Sequence, residues 1–205
     1  MAIHDQRIYL ASASPRRREL LKQVGVHFEV LLLRAHPSRR DVDEAALAAE
    51  RPEDYVVRVA RAKAQAGCMY LAERHLPRFP VLAADTTVTV DGDIIGKPAG
   101  REEAEAILQR LSGKTHQVMT GIAVAFDNHV ESALSITHVE FKQLDAEEIR
   151  RYVATGEPHD KAGAYAIQGR AAIFISCIEG SYSGVMGLPL FETAQLLQQF
   201  HVALL

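Results

Sequence analysis

The chain is poor in cysteine, has no tryptophan, and contains no apolar run close to the roughly 18 residues that a membrane helix needs. Its two cysteines, Cys68 and Cys177, lie far apart in apolar surroundings, which favours two buried free thiols in a cytosolic protein. No signal-peptide apolar region precedes the first predicted strand. We therefore expect a cytoplasmic protein that does not enter a membrane.

The chain also lacks an excess of positive charge. Its 23 lysines and arginines face 26 aspartates and glutamates, which gives a net charge of -3 and a pI near 6.3. This balance argues against stable nucleic-acid binding, so any basic site must be local. Nine scattered histidines show no metal-ligand spacing, which argues against a zinc site built from them.

Several familiar catalytic patterns are missing as well. Neither GxxxxGK[ST] nor GxGxxG occurs, so the common phosphate-binding and dinucleotide-binding loops are not indicated. No serine or cysteine has a histidine in an obvious relay, and a covalent mechanism is therefore unsupported.

Helical and strand patterns alternate along the chain, which predicts an α/β fold with a mixed, partly antiparallel sheet and flanking helices. Asp91-Gly92 is a strong hairpin signal, and Asp127-Asn128 marks a second, longer hairpin. We expect one continuous unit with a central cleft. The predicted strands are 8–11, 28–33, 81–84, 88–90, 94–95, 118–126, 130–141 and 172–178, the predicted helices are 15–24, 52–74, 100–111, 145–154 and 190–200, and 34–43 is predicted to be an exposed loop.

The most informative stretch is the turn from the first strand into the first helix. Ser12 and Ser14 are followed by Pro15 and by the three arginines at 16–18. Ser14 is predicted to cap the helix, and proline suits its first turn. Hydroxyls, guanidiniums and free backbone N–H groups at a helix start favour phosphate oxygens, which indicates a polyanion site. The alternative is a solvated basic helix face, which we expect for Arg18.

Three charged residues occur where the pattern predicts burial or a fixed backbone. Asp85 follows the apolar strand 81–84, at the end where α/β sheets bind ligands, and could accept a proton from water or hold a metal. Lys63 lies on the apolar face of the long second helix, where an amine must be paired or must reach solvent. Lys97, between glycine and proline, could neutralise a phosphate. The alternatives are a turn aspartate and surface lysines.

Two further segments carry weaker signals. The run 159–169 alternates small and polar residues, and Gln168 within it has the donor and acceptor needed to recognise the edge of a base. A glycine-rich structural turn is the alternative. Glu44, beside Asp43, is a candidate second ligand for metal or water, although acidic residues before a helix are common. Together the residues indicate a nucleotide or polyphosphate site with hydrolytic potential.

A series of motifs follows one another in a characteristic order. They are Leu10-Ala11-Ser12-Ala13-Ser14-Pro15-Arg16-Arg17, Ala84-Asp85-Thr86, Gly96-Lys97-Pro98, Leu111-Ser112-Gly113, Asp160-Lys161-Ala162-Gly163-Ala164-Tyr165, Ile167-Gln168-Gly169 and Gly180-Ser181-Tyr182, followed by Val185, Gly187, Leu188 and Pro189. In these motifs the chain resembles the Maf family over nearly its whole length. The resemblance implies a single domain over 1–205, two lobes around a cleft as in the inosine triphosphatases, and a homodimer.

The resemblance also implies an activity. Maf-like proteins are nucleoside triphosphate pyrophosphatases that use a divalent cation, Mg²⁺ or Mn²⁺, to cleave between the α- and β-phosphates. Asp85 would then be the general base or a metal ligand, with Glu44 as a second metal ligand. The resemblance assigns the phosphates to Ser12, Arg16, Arg17, Lys63 and Lys97, and the choice of base to Thr86 and Gln168.

Three positions separate branches of the family. The branch acting on dTTP and UTP resembles SPRR, ADT and IQG, whereas the branch acting on 7-methyl-GTP resembles SPWR, SDQ and SEG. With Arg16, Thr86 and Gln168 the chain is similar to the first branch. The alternatives are the 7-methyl-GTP activity and a regulator of cell division that binds nucleotide without turnover. One departure is the loop from Leu32 to Arg40, which is longer than the family usually has.

Overall fold

The computed structural model describes residues 7–33, 35–36, 39–40 and 42–204. The strands are β1 (Ile8–Leu10), β2 (Phe28–Val30), β3 (Ala35–His36), β4 (Arg39–Arg40), β5 (Val81–Val90), β6 (Asp93–Ile95), β7 (Thr115–Phe126), β8 (His129–Phe141) and β9 (Ile175–Glu179). The α-helices are α1 (Pro15–Gln23), α2 (Pro52–Glu73), α3 (Arg101–Leu111), α4 (Ala146–Val153), α5 (Tyr182–Val185) and α6 (Leu190–Gln199). Short 3₁₀ helices span Glu157–Asp160, Ala162–Ala164 and Arg170–Phe174.

Seven strands form one mixed sheet in the order β2-β1-β5-β7-β8-β9, with β6 paired to β5. Strand β1 pairs in parallel with β2 and β5, while β5–β6 and β8–β9 are antiparallel. The predicted α/β class with a mixed, partly antiparallel sheet is therefore confirmed. Within the described residues, no helix has the length and apolar character that crossing a membrane would require.

Glycine permits one tight turn and one close approach of a helix to the sheet. Asp91 and Gly92 both have positive φ, 54° and 86°, which is the type I′ geometry predicted for the β5–β6 hairpin. At Gly121 on β7, an added Cβ would lie 2.5 Å from the carbonyl oxygen of Val56. Helix α2 can lie this close to the sheet only because position 121 has no side chain.

The chain contains two compact units. Unit 1 comprises the described residues up to Asp85 together with 120–134 and the described residues from Gly187 onward. Its core packs the apolar face of α2 against β1, β5 and β7, with Ala60, Ala64 and Val81 fully buried. The predicted single domain over 1–205 and the predicted central cleft stay predictions.

Unit 2 comprises residues 86–119 and 135–186 and has its own apolar core. His116 is buried there at 1% exposure, and its ring meets the rings of Phe141 and Tyr165 edge-on. Its Nε2 lies 2.9 Å from the Tyr165 hydroxyl, whereas Nδ1 has no hydrogen-bond partner. Because burial disfavours the charged imidazolium, the pKa of His116 is lowered to about 4.

Three sequence-based expectations need correction. Residues 172–174 belong to a 3₁₀ helix rather than to the predicted strand, because the turn bond from Ala172 N–H to the Gly169 carbonyl winds the chain there. Within the predicted loop 34–43, β3 pairs with β4, while residues 34, 37, 38 and 41 lie outside the described part. Cys177 is exposed rather than buried, because it lies on β9, at the end of the described sheet order, where the side chains are intermediate or exposed.

Candidate active site

The turn between β1 and α1 has the predicted elements but a different arrangement of hydrogen bonds. Ser14 occupies the N-cap position and Pro15 the first turn, yet the Ser14 side chain makes no capping bond. Instead, the backbone N–H of Ser14 donates to Oγ of Ser12 at 3.2 Å. The predicted cap by the Ser14 side chain is therefore wrong, and Ser12 holds the turn.

Arg17 connects this turn to two distant parts of the chain. Its Nη1 donates to the carbonyl of Ala84 at 2.8 Å and to Ser12 Oγ at 3.2 Å. Its Nε donates to the carbonyl of Gly187 at 2.7 Å. Burial lowers the pKa of Arg17 to about 10, although the negative charge of Asp85 opposes that shift. Arg17 thus fixes the backbone immediately before Asp85.

The other two arginines of the turn differ from Arg17. Arg16 is half-buried, and among the described residues its side chain has no hydrogen-bond or ion-pair partner. Arg18 is half-buried like Arg16, and it donates from Nη2 to the carbonyl of Ala13 at 2.6 Å in an exposed hydrogen bond within the turn, so it is only partly solvated. Arg16 therefore remains the arginine of this turn whose guanidinium is available for an anion.

Asp85, Lys63 and Glu44 form one charged cluster in unit 1. The ammonium of Lys63 lies 2.8 Å from Asp85 Oδ1 and 3.1 Å from Glu44 Oε1. The side chains of Lys63 and Asp85 are 15% and 13% exposed, whereas Glu44 is 53% exposed. Lys63 is therefore paired on the otherwise apolar face of α2, which is one of the two arrangements predicted for it.

Asp85 lies within β5 and not at its end, because the β-branched residues that follow it continue the strand to Val90. The prediction that a strand ends before Asp85 is therefore wrong. The parallel register with β1 nevertheless ends at the pair Leu10–Leu82, so Asp85 lies beyond the last residue of β5 that β1 pairs with. Asp85 therefore does follow the carboxyl end of the parallel pairing between β1 and β5, as expected.

Tyr55 belongs to the same cluster, and the sequence reading missed it. Its hydroxyl donates to the backbone carbonyl of Glu44 at 3.1 Å. The pKa of Tyr55 is raised by burial first and then by the negative charges of Asp85 and Glu44. Tyr55 precedes Lys63 by eight residues, about two helical turns, which places both on one face of α2 and was the available signal.

The donor set fits a hard divalent cation. Asp85 and Glu44 offer carboxylate oxygens to one shared cationic partner, and Mg²⁺ binds through one or two carboxylates together with substrate phosphates and water. Among the described residues no cluster of three or more histidines, cysteines, aspartates or glutamates could hold a metal ion. The described residues therefore offer this cation two carboxylates, and its remaining ligands would have to come from substrate or water.

Thr86, Lys97 and Gln168 belong to unit 2. Thr86 is half-buried on β5, while Lys97 and Gln168 are exposed. The backbone N–H of Gly163 donates to the carbonyl of Gly96 at 3.2 Å, so the loop with Lys97 contacts the segment that leads to Gln168. The structure thus brings two of these predicted residues into neighbouring segments of unit 2.

The turn that contains Gln168 is held in place by the carboxylate of Glu157. An added Cβ at Gly169 would lie 2.4 Å from both carboxylate oxygens of Glu157. That carboxylate accepts hydrogen bonds from the Tyr152 hydroxyl at 2.8 Å and from the Arg170 backbone N–H at 3.2 Å. Glycine at 169 therefore lets Glu157 hold the turn while the Gln168 side chain remains exposed.

Comparison with known proteins gives one family. The model of Maf-like proteins matches residues 7–200. A dTTP/UTP pyrophosphatase of Aromatoleum aromaticum is 58% identical over 95% of each chain. Proteins of the same name from Nitrosomonas europaea and Bordetella avium are 55% and 54% identical, covering 94% and 98% of this chain and 93% and 98% of theirs.

A solved structure shares the fold at much lower identity. The Ham1 protein of Staphylococcus aureus aligns with a TM-score of 0.50 at 16% identity, covering 95% of this chain and 97% of that one. Similarity at this level of identity supports the α/β fold class and carries no information on the substrate.

Proposed function

The chain belongs to the family of Maf-like proteins, and we propose that it is a nucleoside triphosphate pyrophosphatase that hydrolyses dTTP and UTP. The products are the nucleoside monophosphate and pyrophosphate. The observation that carries the proposal is the Asp85–Lys63–Glu44 cluster beside the Ser12–Arg17 turn, in a chain 54–58% identical to proteins named for this activity. A carboxylate next to fixed cationic groups is what water attack on a phosphate chain requires.

In the proposed reaction, the oxygen of a water molecule attacks the α-phosphorus as Asp85 accepts the water proton. The bond from the α-phosphorus to the oxygen bridging the α- and β-phosphates breaks, and pyrophosphate leaves with the additional negative charge. Lys63 offsets part of the negative charge of the two carboxylates in the resting protein, and its ammonium can turn to a phosphate oxygen when substrate is present. Arg17 keeps Asp85 in place through the Ala84 carbonyl.

Asp85 and Glu44 would hold the divalent cation, Mg²⁺ or Mn²⁺, which supplies positive charge against the phosphate oxygens. The support for this assignment is the pair of carboxylates that share one cationic partner. Arg16 and Ser12 are assigned to the phosphates together with Lys97. Of the arginines in the turn, Arg16 is the one whose side chain has no hydrogen-bond or ion-pair partner among the described residues.

Recognition of the pyrimidine is assigned to Gln168 and Thr86. The amide of Gln168 is exposed, and it can both donate to and accept from the edge of a base. The proposal also includes a homodimer in the cytoplasm, as the family resemblance implies.

The test is a panel of nucleoside triphosphates with Mg²⁺ or Mn²⁺, in which monophosphate, pyrophosphate and orthophosphate are quantified separately. We expect dTTP and UTP to give equal amounts of monophosphate and pyrophosphate. Orthophosphate as the only phosphate product would refute cleavage between the α- and β-phosphates. Nucleotide binding without turnover would instead support a regulator, and preference for 7-methyl-GTP would place the chain in the other branch.

Asp85→Asn tests the proposed base directly. Because this change keeps the shape of the side chain and removes its charge, we expect the turnover number to fall at least ~10²-fold. The circular dichroism spectrum should remain that of the wild type. Turnover of dTTP near the wild-type level would show that Asp85 does not have this role.

A further inference from the structure

The segment that carries Glu44 has little regular structure of its own. Residues 43–50 lie between β4 and α2 and contain turns but no helix or strand. Glu44 itself is 53% exposed, and its carboxylate contacts only Lys63 among the ion pairs of the described residues. Something other than burial must therefore hold Glu44 at the cluster.

Arg58 and Glu50 form a two-point ion pair at the base of this segment. Nε of Arg58 lies 2.5 Å from Oε1 of Glu50, and Nη2 lies 2.8 Å from Oε2. Paired guanidinium–carboxylate contacts of this kind fix both distance and orientation. The Glu50 side chain is only 8% exposed, and the pair lowers its pKa to about 2.

The same two side chains also hold the backbone of the segment. Arg58 Nη2 donates to the carbonyl of Ala45 at 3.0 Å, and the Leu47 N–H donates to Oε2 of Glu50 at 3.0 Å. Ala45 directly follows Glu44, and the Tyr55 hydroxyl donates to the Glu44 carbonyl at 3.1 Å. The carbonyls of Glu44 and Ala45 thus accept hydrogen bonds from Tyr55 and Arg58, which lie about one turn apart on α2.

We propose that Arg58 and Glu50 are positioning residues that hold Glu44 against Lys63 and thereby set the affinity of the site for its divalent cation. The inference rests on the proposed function, since it takes Glu44 as a metal ligand. Removal of a residue that orients a metal ligand, without itself binding the metal, commonly lowers metal affinity ~10- to 100-fold. A residue 14 positions from Glu44 in sequence would then control its metal chemistry without touching the ion.

The test compares Arg58→Ala and Glu50→Gln with wild type in the full-length protein. Mn²⁺ binding is measured by electron paramagnetic resonance, and exchange of the Ala45 and Leu47 amides by hydrogen–deuterium exchange. We expect each variant to bind Mn²⁺ ~10-fold or more weakly and to exchange these amides faster. Glu50→Gln keeps the size of the side chain, so it remains informative if Arg58→Ala fails to fold.

Arg61→Ala is the matched control on the same helix. Arg61 donates to the Val130 carbonyl at 3.3 Å and to Ser132 Oγ at 3.0 Å, away from the 43–50 segment. This variant should keep the wild-type Mn²⁺ affinity. If Arg61→Ala weakens Mn²⁺ binding as much as Arg58→Ala does, the effect is a general loss of helix packing and the proposal is wrong.

A double-substitution cycle separates positioning from a purely structural role. In a Glu44→Gln background, Arg58→Ala should change Mn²⁺ affinity less than twofold, because the group it positions is already lost. A full additional loss in that background, or unchanged Mn²⁺ affinity in both single variants, would overturn the proposal. These readouts do not depend on turnover, so a wild-type protein that binds Mn²⁺ but releases no pyrophosphate would refute the proposed function alone.

Discussion

The two adjacent arginines of the β1–α1 turn, Arg16 and Arg17, provide a sharp test of the proposed site, because their side chains make different contacts. Arg17 donates to the carbonyls of Ala84 and Gly187, both of which are buried. The Arg16 side chain makes no hydrogen bond or ion pair with any described residue. Arg17→Ala should therefore reduce stability, while Arg16→Ala should weaken substrate binding.

The size of the stability effect follows from the contacts of Arg17. Each hydrogen bond from a charged donor contributes ~1.5–3 kcal/mol, and truncation to alanine removes two of them to backbone carbonyls. The burial that lowers the pKa of Arg17 to about 10 disfavours its charge and offsets part of that gain. We therefore expect a net loss of about 2 to 4 kcal/mol for Arg17→Ala.

The assay is thermal and urea unfolding of Arg17→Ala and Arg16→Ala, followed by dTTP kinetics. For a chain of this size the loss corresponds to a fall in Tm of roughly 4–15 °C for Arg17→Ala. Arg16→Ala should stay within about 0.5 kcal/mol of wild type and raise KM instead. Equal Tm values for the two variants, or a loss below about 1 kcal/mol for Arg17→Ala, would refute the reasoning.

Three further predictions follow from other parts of the molecule. The pKa of His116 is about 4 in the fold and near 6.5 in the unfolded chain, so below pH 6.5 protons bind preferentially to the unfolded chain. The free energy of unfolding should therefore fall by about 3 kcal/mol between pH 6.5 and 4. Urea titrations of His116→Gln should lack that part of the pH dependence. Gly121→Ala should cost about 3 kcal/mol in the same titrations, because the new methyl group meets backbone atoms of Val56 that cannot rotate away; an unchanged midpoint would contradict the close approach. The pair Gln168→Glu and Thr86→Gln should lower kcat/KM for dTTP and UTP with little change in Tm, and unchanged kcat/KM would exclude these residues from recognition of the base.

Local chemistry made much of the fold predictable. The predicted helix 145–154 corresponds to α4 with Asp145 as its cap, whose carboxylate accepts from the N–H groups of Glu147 and Glu148. The Asp91-Gly92 hairpin needed only the preference of two adjacent residues for positive φ. An amine at position 63 on an apolar helical face predicted either a paired lysine or one that reaches solvent, and the structure has the paired arrangement.

The remainder depended on partners far away in sequence. The carbonyls that Arg17 contacts are 67 and 170 residues from it, and no local pattern distinguishes it from Arg16. Glu50 and Arg58 look like ordinary surface charges around a helix start, since their pairing depends on how the loop folds back on α2. A charged residue after an apolar run predicts the end of a buried strand, but β5 continues through Asp85 to Val90.

The contact between Arg17 and the Gly187 carbonyl also concerns the order in which the protein is made. Every residue of unit 2 precedes Gly187, so that unit has its complete sequence while the last part of unit 1 is still being synthesised. Unit 1 combines residues from the start, the middle and the end of the described chain, and contacts of such long separation form slowly. A ribosome-bound chain that stops short of residue 187 would carry Asp85 and Lys63 but lack the Gly187 carbonyl that accepts from Arg17, so the contacts of Arg17 are completed only late in synthesis.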